Sequence, residues 1–144
     1  MAGIIRVILD TNVLISGLFG IKNSASAKIL IAVRNQKFIL VNSPEILEEI
    51  AEVINRERIV KITKMNKAER KKFMEELIGR SEVTSGRKLS KSGGRDEKDD
   101  KFLACAYEAH ADYIVTGDKD LLVLKEYGYT KIVSPKEFTE FMSL

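Results

Sequence analysis

The fold is decided by residues 4–16, which read Ile-Ile-Arg-Val-Ile-Leu-Asp-Thr-Asn-Val-Leu-Ile-Ser. The first part, Ile4–Leu9, is apolar and rich in β-branched residues, which is typical of a buried strand. That strand ends at Asp10, and Thr11 or Asn12 can then cap a short helix. A buried strand that passes directly into a helix is the basic unit of an α/β protein.

Predicted strands and helices alternate along the rest of the chain. The further predicted strands are Phe38–Val41, Glu82–Thr84, Tyr113–Val115 and Lys131–Val133. The first predicted helix ends at Leu18. The other predicted helices are Ser24–Arg34, Pro44–Asn55, Lys67–Gly79, Lys98–His110, Leu121–Glu126 and Pro135–Met142. Ser85–Arg95, with three glycines and three serines, is a predicted loop. This order predicts an α/β fold, a three-layer α/β/α sandwich with a central parallel sheet, in one domain spanning residues 1–144.

Composition narrows the class of protein and the kind of metal site. The 144 residues are 44% hydrophobic, and no apolar run approaches the ~20 residues that span a bilayer. A single cysteine excludes an internal disulfide and is typical of a reducing compartment, so we expect a cytoplasmic protein without a membrane anchor. Because the chain has one histidine and one cysteine, any metal must be held mainly by carboxylates, which suit Mg²⁺ or Mn²⁺.

Two aspartates follow predicted strands. Asp10 comes directly after the first strand, and Asp118 lies just beyond the strand Tyr113–Val115. In an open parallel sheet, ligands bind beyond the carboxyl ends of the strands. If these two strands are neighbours, both carboxylates reach the same crevice.

The helix that begins at Pro44 carries four glutamates, and a helical wheel separates them. At about 100° per residue, its apolar stripe consists of Ile46, Leu47, Ile50, Val53 and Ile54. Glu48 and Glu52 lie opposite this stripe, so we expect them to face water. Glu49 falls about 40° outside the edge of the stripe, which makes it the glutamate best placed to reach inward.

A second acidic group lies at the start of the predicted helix Lys98–His110. Asp99 and Asp100 belong to its first turn, close to Asp96, and acids there also suit the helix dipole. Both aspartates project toward the side that carries Leu103 further along the helix. Geometry alone does not choose between Asp99 and Asp100.

Several carboxylates in one crevice repel one another. At ~4 Å and an effective dielectric constant near 20, each pair costs about 4 kcal/mol. A divalent cation removes this conflict, generates hydroxide from water and stabilises charge on a transferring phosphate. Phosphodiester hydrolysis is the reaction class that these groups suit best.

The segment Arg56–Lys72, which we call the basic stretch, contains eight lysines and arginines against two acids. It can meet a phosphate backbone, and Lys61, Lys64 and Lys67 are the candidate nucleic-acid-binding residues. The alternative interpretation is a solvated helical hairpin.

Four motifs resemble those of the PIN domain, in order and at its usual spacing, and together they cover nearly the whole chain. They are Leu-Asp-Thr-Asn-Val-Leu-Ile-Ser (9–16), Ser-Pro-Glu-Ile-Leu-Glu-Glu-Ile (43–50), Arg-Asp-Glu-Lys-Asp-Asp-Lys-Phe-Leu-Ala-Cys-Ala (95–106) and Ala-Asp-Tyr-Ile-Val-Thr-Gly-Asp-Lys-Asp-Leu-Leu (111–122). The sequence is similar to a subgroup described as toxin components of toxin–antitoxin pairs.

The resemblance implies a Mg²⁺- or Mn²⁺-dependent endoribonuclease on a PIN-like α/β/α sandwich. It implies a catalytic metal site made of Asp10, Glu49, Asp100 and Asp118, with Asp100 chosen because it matches the family's Asp-x-x-aliphatic-Ala pattern. It assigns Thr11, Asn12, Ser43 and Thr116 to positions that orient the carboxylates, and adds Asp96, Asp99 and Asp120 as acids for a second shell or a second metal position.

The implied partners are RNA, an antitoxin protein and a second copy of the chain. Two alternatives stay open at this point. One is an RNA- or antitoxin-binding PIN module without useful turnover, and the other is a nuclease acting on single-stranded or flapped DNA. No feature of the sequence reads the 2′-hydroxyl, so the preference for RNA rests on the resemblance alone.

Overall fold

A computed structural model describes residues 3–86 and 97–144, which are built around a six-stranded sheet. The strands are β1 (Arg6–Leu9), β2 (Ile39–Asn42), β3 (Ser81–Val83), β4 (Tyr113–Val115), β5 (Glu126–Tyr127) and β6 (Thr130–Val133). Their order across the sheet is β3-β2-β1-β4-β6-β5. All neighbours are parallel except β5 and β6, which are antiparallel.

The predicted parallel strands are present, and the sequence analysis was wrong at one edge of the sheet, where it missed the antiparallel strand β5. β5 and β6 are separated only by Gly128 and Tyr129, and a connection this short can join antiparallel strands but not parallel ones. Gly128 adopts a φ of +60°, which a glycine accepts without strain. The predicted helix Leu121–Glu126 was also wrong, because Glu126 belongs to β5.

Eight helices surround the sheet in the described part of the chain. They are α1 (Thr11–Leu18), α2 (Ala25–Arg34), α3 (Pro44–Ile54), α4 (Glu57–Thr63), α5 (Lys67–Arg80), α6 (Glu97–Ala109), α7 (Lys119–Leu122) and α8 (Pro135–Met142). The sequence analysis missed α4, and α5 continues one residue past Gly79, where a stop was predicted. None of the helices in residues 3–86 and 97–144 has the length and apolar character needed to cross a membrane.

Helices cover both faces of the sheet, as the predicted three-layer α/β/α fold requires. Val7, Ile8 and Leu9 of β1 are all 0% exposed. Successive side chains of a strand point to opposite faces, so burial at three consecutive positions means that neither face meets solvent. The α/β fold class predicted from the sequence is thus confirmed.

Helices α1 and α2 approach each other closely at Gly17. A Cβ atom at this position would lie 2.9 Å from the backbone oxygen of Ser26 and 3.2 Å from Cβ of Leu30. Both neighbours belong to α2, and a backbone oxygen cannot move aside as a flexible side chain can. The absent side chain therefore sets how close the two helices pack.

We expect Gly17→Ala to lower the free energy of unfolding by about 1–3 kcal/mol, because the added methyl group overpacks the α1–α2 contact. Gly79→Ala is the matched control, since a Cβ there meets no atom within 4 Å. It should raise the free energy of unfolding by about 0.5–1 kcal/mol, the gain of alanine over glycine in a helix. Urea denaturation of both variants measures the two changes, and a stabilising Gly17→Ala would contradict the close packing.

Candidate active site

The candidate site lies where the strand order reverses. From β1 the chain proceeds to β2 and β3 on one side and then returns to β4 on the other. Leu9 and Val115 are paired in register, and the backbone N–H of Asp10 donates to the carbonyl of Val115 at 2.9 Å. The two strands predicted to be neighbours are neighbours, and a ligand crevice is expected at such a reversal point.

A chain of hydrogen bonds joins the segments that follow β1 and β4. The Thr116 hydroxyl donates to Oδ2 of Asp10 at 2.7 Å and accepts from the N–H of Asp118 at 2.9 Å. The N–H of Asn12 donates to Oδ1 of Asp10 at 3.2 Å, so Asp10 itself caps α1, where Thr11 or Asn12 was predicted. The N–H of Asp120 donates to Oδ1 of Asp118 at 2.9 Å, while the Asp120 side chain is exposed.

Helix α3 brings Glu49 to the same region. The Thr11 hydroxyl, buried at the start of α1, donates to Oε2 of Glu49 at 3.0 Å. The glutamate side chain is 33% exposed, whereas Glu48 and Glu52 are exposed residues. The helical-wheel prediction is confirmed in this respect, because the structure buries the apolar stripe and turns Glu48 and Glu52 toward solvent.

The carboxylate of Asp10 is both buried and surrounded by negative charge. Burial raises the pKa of Asp10 above its ordinary value, while the hydrogen bonds from Thr116 and Asn12 oppose the rise. The negative charges of Glu49 and Asp118 raise this pKa further. These three carboxylates therefore act on one another, and we call the space that they border the acidic crevice.

The first turn of α6 contributes the remaining predicted acids. Asp99 is 4% exposed and Asp100 is partly buried. The next residue, Lys101, places its Nζ 3.3 Å from Oε2 of Glu49, so the start of α6 lies beside the acidic crevice. Asp96 lies outside the described residues.

Lys101 was missed by the sequence analysis. Its contact partner Glu49 lies 52 positions earlier in the chain, and only the packing of α6 near α3 brings the two together. The clue in the sequence is that a lysine directly follows the predicted metal ligand Asp100. This clue is weak by itself.

Two other side chains near the crevice have structural roles. Ser43 is buried, and its hydroxyl accepts from the N–H of Ile46 at 3.2 Å, so it caps α3. The role of orienting a carboxylate, which the sequence resemblance assigns to Ser43, stays a prediction. Cys105 is 2% exposed, and burial raises the pKa of its thiol to about 12, which rules out a thiolate nucleophile at neutral pH.

The chemistry of the side chains that border the acidic crevice suits a divalent cation. The donors of the crevice are carboxylate oxygens, the ligands that Mg²⁺ and Mn²⁺ prefer. The pKa of Asp10 is raised first by burial and further by the charges of Glu49 and Asp118, and a cation would stabilise the ionised form that both disfavour. Across residues 3–86 and 97–144, however, no three His, Cys, Asp or Glu side chains are grouped closely enough to enclose a metal ion. The acids therefore border one crevice without forming a closed cage.

The basic stretch begins at Arg56, two residues after the end of α3, the helix that carries Glu49. Arg56 makes two hydrogen bonds to Glu52, at 2.9 and 2.7 Å, which raise its pKa, and the charge of Glu49 raises it further. Lys61 in α4, Lys64 at its end and Lys67 at the start of α5 are all exposed. The three candidate RNA-binding lysines thus lie on the α4–α5 corner.

A cavity of about 410 Å³ lies elsewhere, at the amino ends of β4 and β6. Its lining includes Tyr107, His110, Tyr127 and Tyr129. None of the four predicted metal ligands lines it, and it is at the opposite end of the strands from the acidic crevice. Cavity size therefore does not identify the candidate site in this protein.

Comparison with known proteins agrees with the sequence motifs. The family model described as PIN domain matches residues 6–120, a range that contains Asp10, Glu49, Asp100 and Asp118. A protein of Methanocaldococcus jannaschii, described only as uncharacterized, is 33% identical over an alignment of 154 positions that covers 94% of this chain and 90% of that protein. The chain therefore belongs to the PIN-domain family, whose members are generally nucleases.

Proposed function

We propose that this protein is an endoribonuclease that hydrolyses RNA phosphodiester bonds with Mg²⁺ or Mn²⁺ as cofactor. The observation that carries the proposal is the burial of Asp10 at the end of β1, within the negative field of Glu49 and Asp118. A buried carboxylate with like charges beside it destabilises a protein unless something compensates it, and such groups are concentrated at functional sites.

The proposed metal ligands are Asp10, Glu49, Asp100 and Asp118. A bound divalent cation at such a site supplies an activated water and stabilises charge on the phosphate. Thr116 fixes the Asp10 carboxylate through its 2.7 Å hydrogen bond, and Thr11 fixes Glu49 through its 3.0 Å hydrogen bond. These two hydroxyls hold acids from different elements in one orientation, so little rearrangement is needed when a ligand arrives.

Membership of the PIN-domain family supports a nuclease activity in general. That the substrate is RNA is a more specific proposal. The basic stretch supports a polyanionic substrate, because its exposed lysines follow the end of α3, the helix that carries Glu49. A role as the toxin of a toxin–antitoxin pair, with an antitoxin protein as partner, and assembly as a homodimer are proposed on the sequence resemblance alone.

The first test is the isosteric substitution Asp10→Asn. We expect it to reduce Mn²⁺-dependent cleavage of a mixed RNA substrate by several orders of magnitude, because it removes a charged ligand from the proposed metal site. Cleavage by the wild type should stop when EDTA removes the metal. Activity that survives exhaustive chelation would rule out the metal mechanism, and an Asp10→Asn variant as fast as the wild type would show that the site assignment is wrong.

Stability provides the control for this variant. Because burial raises the pKa of Asp10, the metal-free folded state holds this proton more tightly than the unfolded state does. Stability is therefore lost as the pH rises from the ordinary value of 3.8 through the folded pKa. Asp10→Asn should melt at a higher temperature than the metal-free wild type at pH 7, with the difference shrinking as the pH approaches 3.8.

The same assay distinguishes the alternative functions. Single-stranded DNA of matched sequence, run beside the RNA, tests the choice of nucleic acid. Metal-dependent cleavage of DNA but not RNA would replace the proposed substrate, while tight RNA binding without cleavage would indicate a binding module.

Two neighbouring glutamates offer a matched pair of variants. Glu49→Gln should weaken Mn²⁺ binding and RNA cleavage by about 10- to 100-fold, because Glu49 borders the acidic crevice. Glu48→Gln removes the same charge one residue earlier, on the exposed side of α3, and should change neither property appreciably. Calorimetric titration with Mn²⁺ compares them, and an equal or larger loss at Glu48 would exclude Glu49 as the ligand.

The basic stretch is tested by replacing Lys61, Lys64 and Lys67 with Gln together. We expect weaker RNA binding and a flatter dependence of affinity on salt, by up to about 0.7 units of slope for each lost phosphate contact. Replacing the exposed lysines Lys22, Lys37 and Lys131 is the control for net charge. If both triple variants keep the wild-type slope, these lysines belong only to a solvated surface.

A further inference from the structure

Lys101 of α6 forms an ion pair with a proposed metal ligand. Its Nζ lies 3.3 Å from Oε2 of Glu49, and the two side chains are only 12% and 33% exposed, respectively. An ammonium group that is largely removed from water loses hydration, and a nearby carboxylate compensates for that loss. The pair is therefore more than a surface contact between long, mobile side chains.

The contacted oxygen of Glu49 is already engaged twice. Oε2 accepts a hydrogen bond from the Thr11 hydroxyl at 3.0 Å and receives the Lys101 ammonium on another side. A cation bound directly to this oxygen would lie close to Nζ of Lys101, and two positive charges at such a distance repel strongly. The ammonium and a metal ion therefore compete for the same carboxylate.

We propose that Lys101 is the counter-ion of Glu49 in the metal-free protein and that a divalent cation must displace it in order to bind Glu49. This inference rests on the proposed metal-dependent function. It gives Lys101 the role of a positioning residue that sets the metal affinity of the acidic crevice.

The Lys101 ammonium has a second neighbour besides Glu49 in the same structure. Nζ of Lys101 lies 5.0 Å from the centre of the Phe102 ring, and Phe102 is itself 3% exposed. An ammonium group within about 6 Å of a ring face is attracted to it. Lys101 can thus give up Glu49 without being driven fully into solvent, which keeps the exchange reversible.

The pair also explains how the metal-free protein tolerates its acids. Glu49 raises the pKa of Asp10 through its negative charge, and Lys101 offsets part of that charge at 3.3 Å. When a divalent cation takes over this compensation, the ammonium is no longer required. Metal affinity is then the difference between two compensated states, and removing Lys101 disfavours the metal-free state more than the metal-bound one.

The test compares Lys101→Met with Lys101→Arg and Lys119→Met. Methionine keeps an unbranched stem of similar length without the charge, and arginine keeps the charge. Lys119 is exposed and follows Asp118, so its replacement removes one positive charge beside the crevice at a position where no contact with Glu49 exists in the structure. Mn²⁺ affinity is measured by titration calorimetry, and the melting temperature of each variant with and without Mn²⁺ reports folding and metal-induced stabilisation.

We expect Lys101→Met to bind Mn²⁺ about tenfold more tightly than the wild type, on the scale expected when a competing partly buried ion pair is removed. Its melting temperature should rise more on metal addition than that of the wild type, and Lys101→Arg should remain close to the wild type. Lys119→Met should tighten binding less than twofold. Should Lys101→Met fail to fold, Lys101→Gln is measured in its place.

The outcomes separate this inference from the proposed function. Equal Mn²⁺ affinity in Lys101→Met, Lys119→Met and the wild type would overturn the counter-ion role and leave metal-dependent cleavage standing. Weaker binding in Lys101→Met would overturn it as well, because the lysine would then hold Glu49 ready for the metal. If neither the wild type nor Lys101→Met binds Mn²⁺, the proposed metal site itself is wrong.

Discussion

The hydrogen bond from Thr116 to Asp10 is the interaction on which the site depends. The register between β1 and β4 pairs Leu9 with Val115, so the next residues, Asp10 and Thr116, emerge side by side at the sheet edge. The bond at 2.7 Å is buried, and the same hydroxyl accepts from the N–H of Asp118. One threonine therefore fixes the carboxylate that follows β1 and the backbone that carries Asp118 after β4. Loss of that hydroxyl would leave a buried carboxylate short of a donor, which costs more than an ordinary surface hydrogen bond.

Asp10 and Glu49 are both held at the start of α1, although they are far apart in sequence. Asp10 caps α1, and Thr11, the first residue of that helix, donates to Glu49 of α3. The start of α1 therefore fixes both acids. Each hydrogen-bond donor there binds one carboxylate oxygen, and together the donors keep the two carboxylates near each other. Hydrogen bonds to an ionised carboxylate favour its charged form, whereas burial opposes it, and at Asp10 burial has the larger effect on the pKa.

Local sequence patterns predicted much of this architecture because they act within a few residues. Tyr113–Val115 and Pro135–Met142 have the predicted bounds, and Ser43 and Ser24 cap the helices that follow them. What could not be predicted depends on distant partners. β5 exists through its pairing with β6, and α4 is a seven-residue helix without a side-chain cap. In the site, the wheel separated Glu49 from Glu48, but the contact of Lys101 with Glu49 depends on how α6 packs near α3.

An acidic crevice and a polyanionic substrate repel each other, and the distribution of cations around Glu49 bears on this conflict. The net charge of +3 acts weakly over distance, because charges separated by more than about 8 Å are largely screened at physiological salt. Lys101 acts at short range instead, with its Nζ 3.3 Å from Glu49, and Arg56, just after the end of α3, is hydrogen-bonded to Glu52. Beyond Arg56 the exposed lysines continue along the α4–α5 corner. For the proposed RNA substrate, this arrangement favours contact between flanking phosphates and the basic stretch, with a single phosphate approaching the acids once a cation has neutralised them.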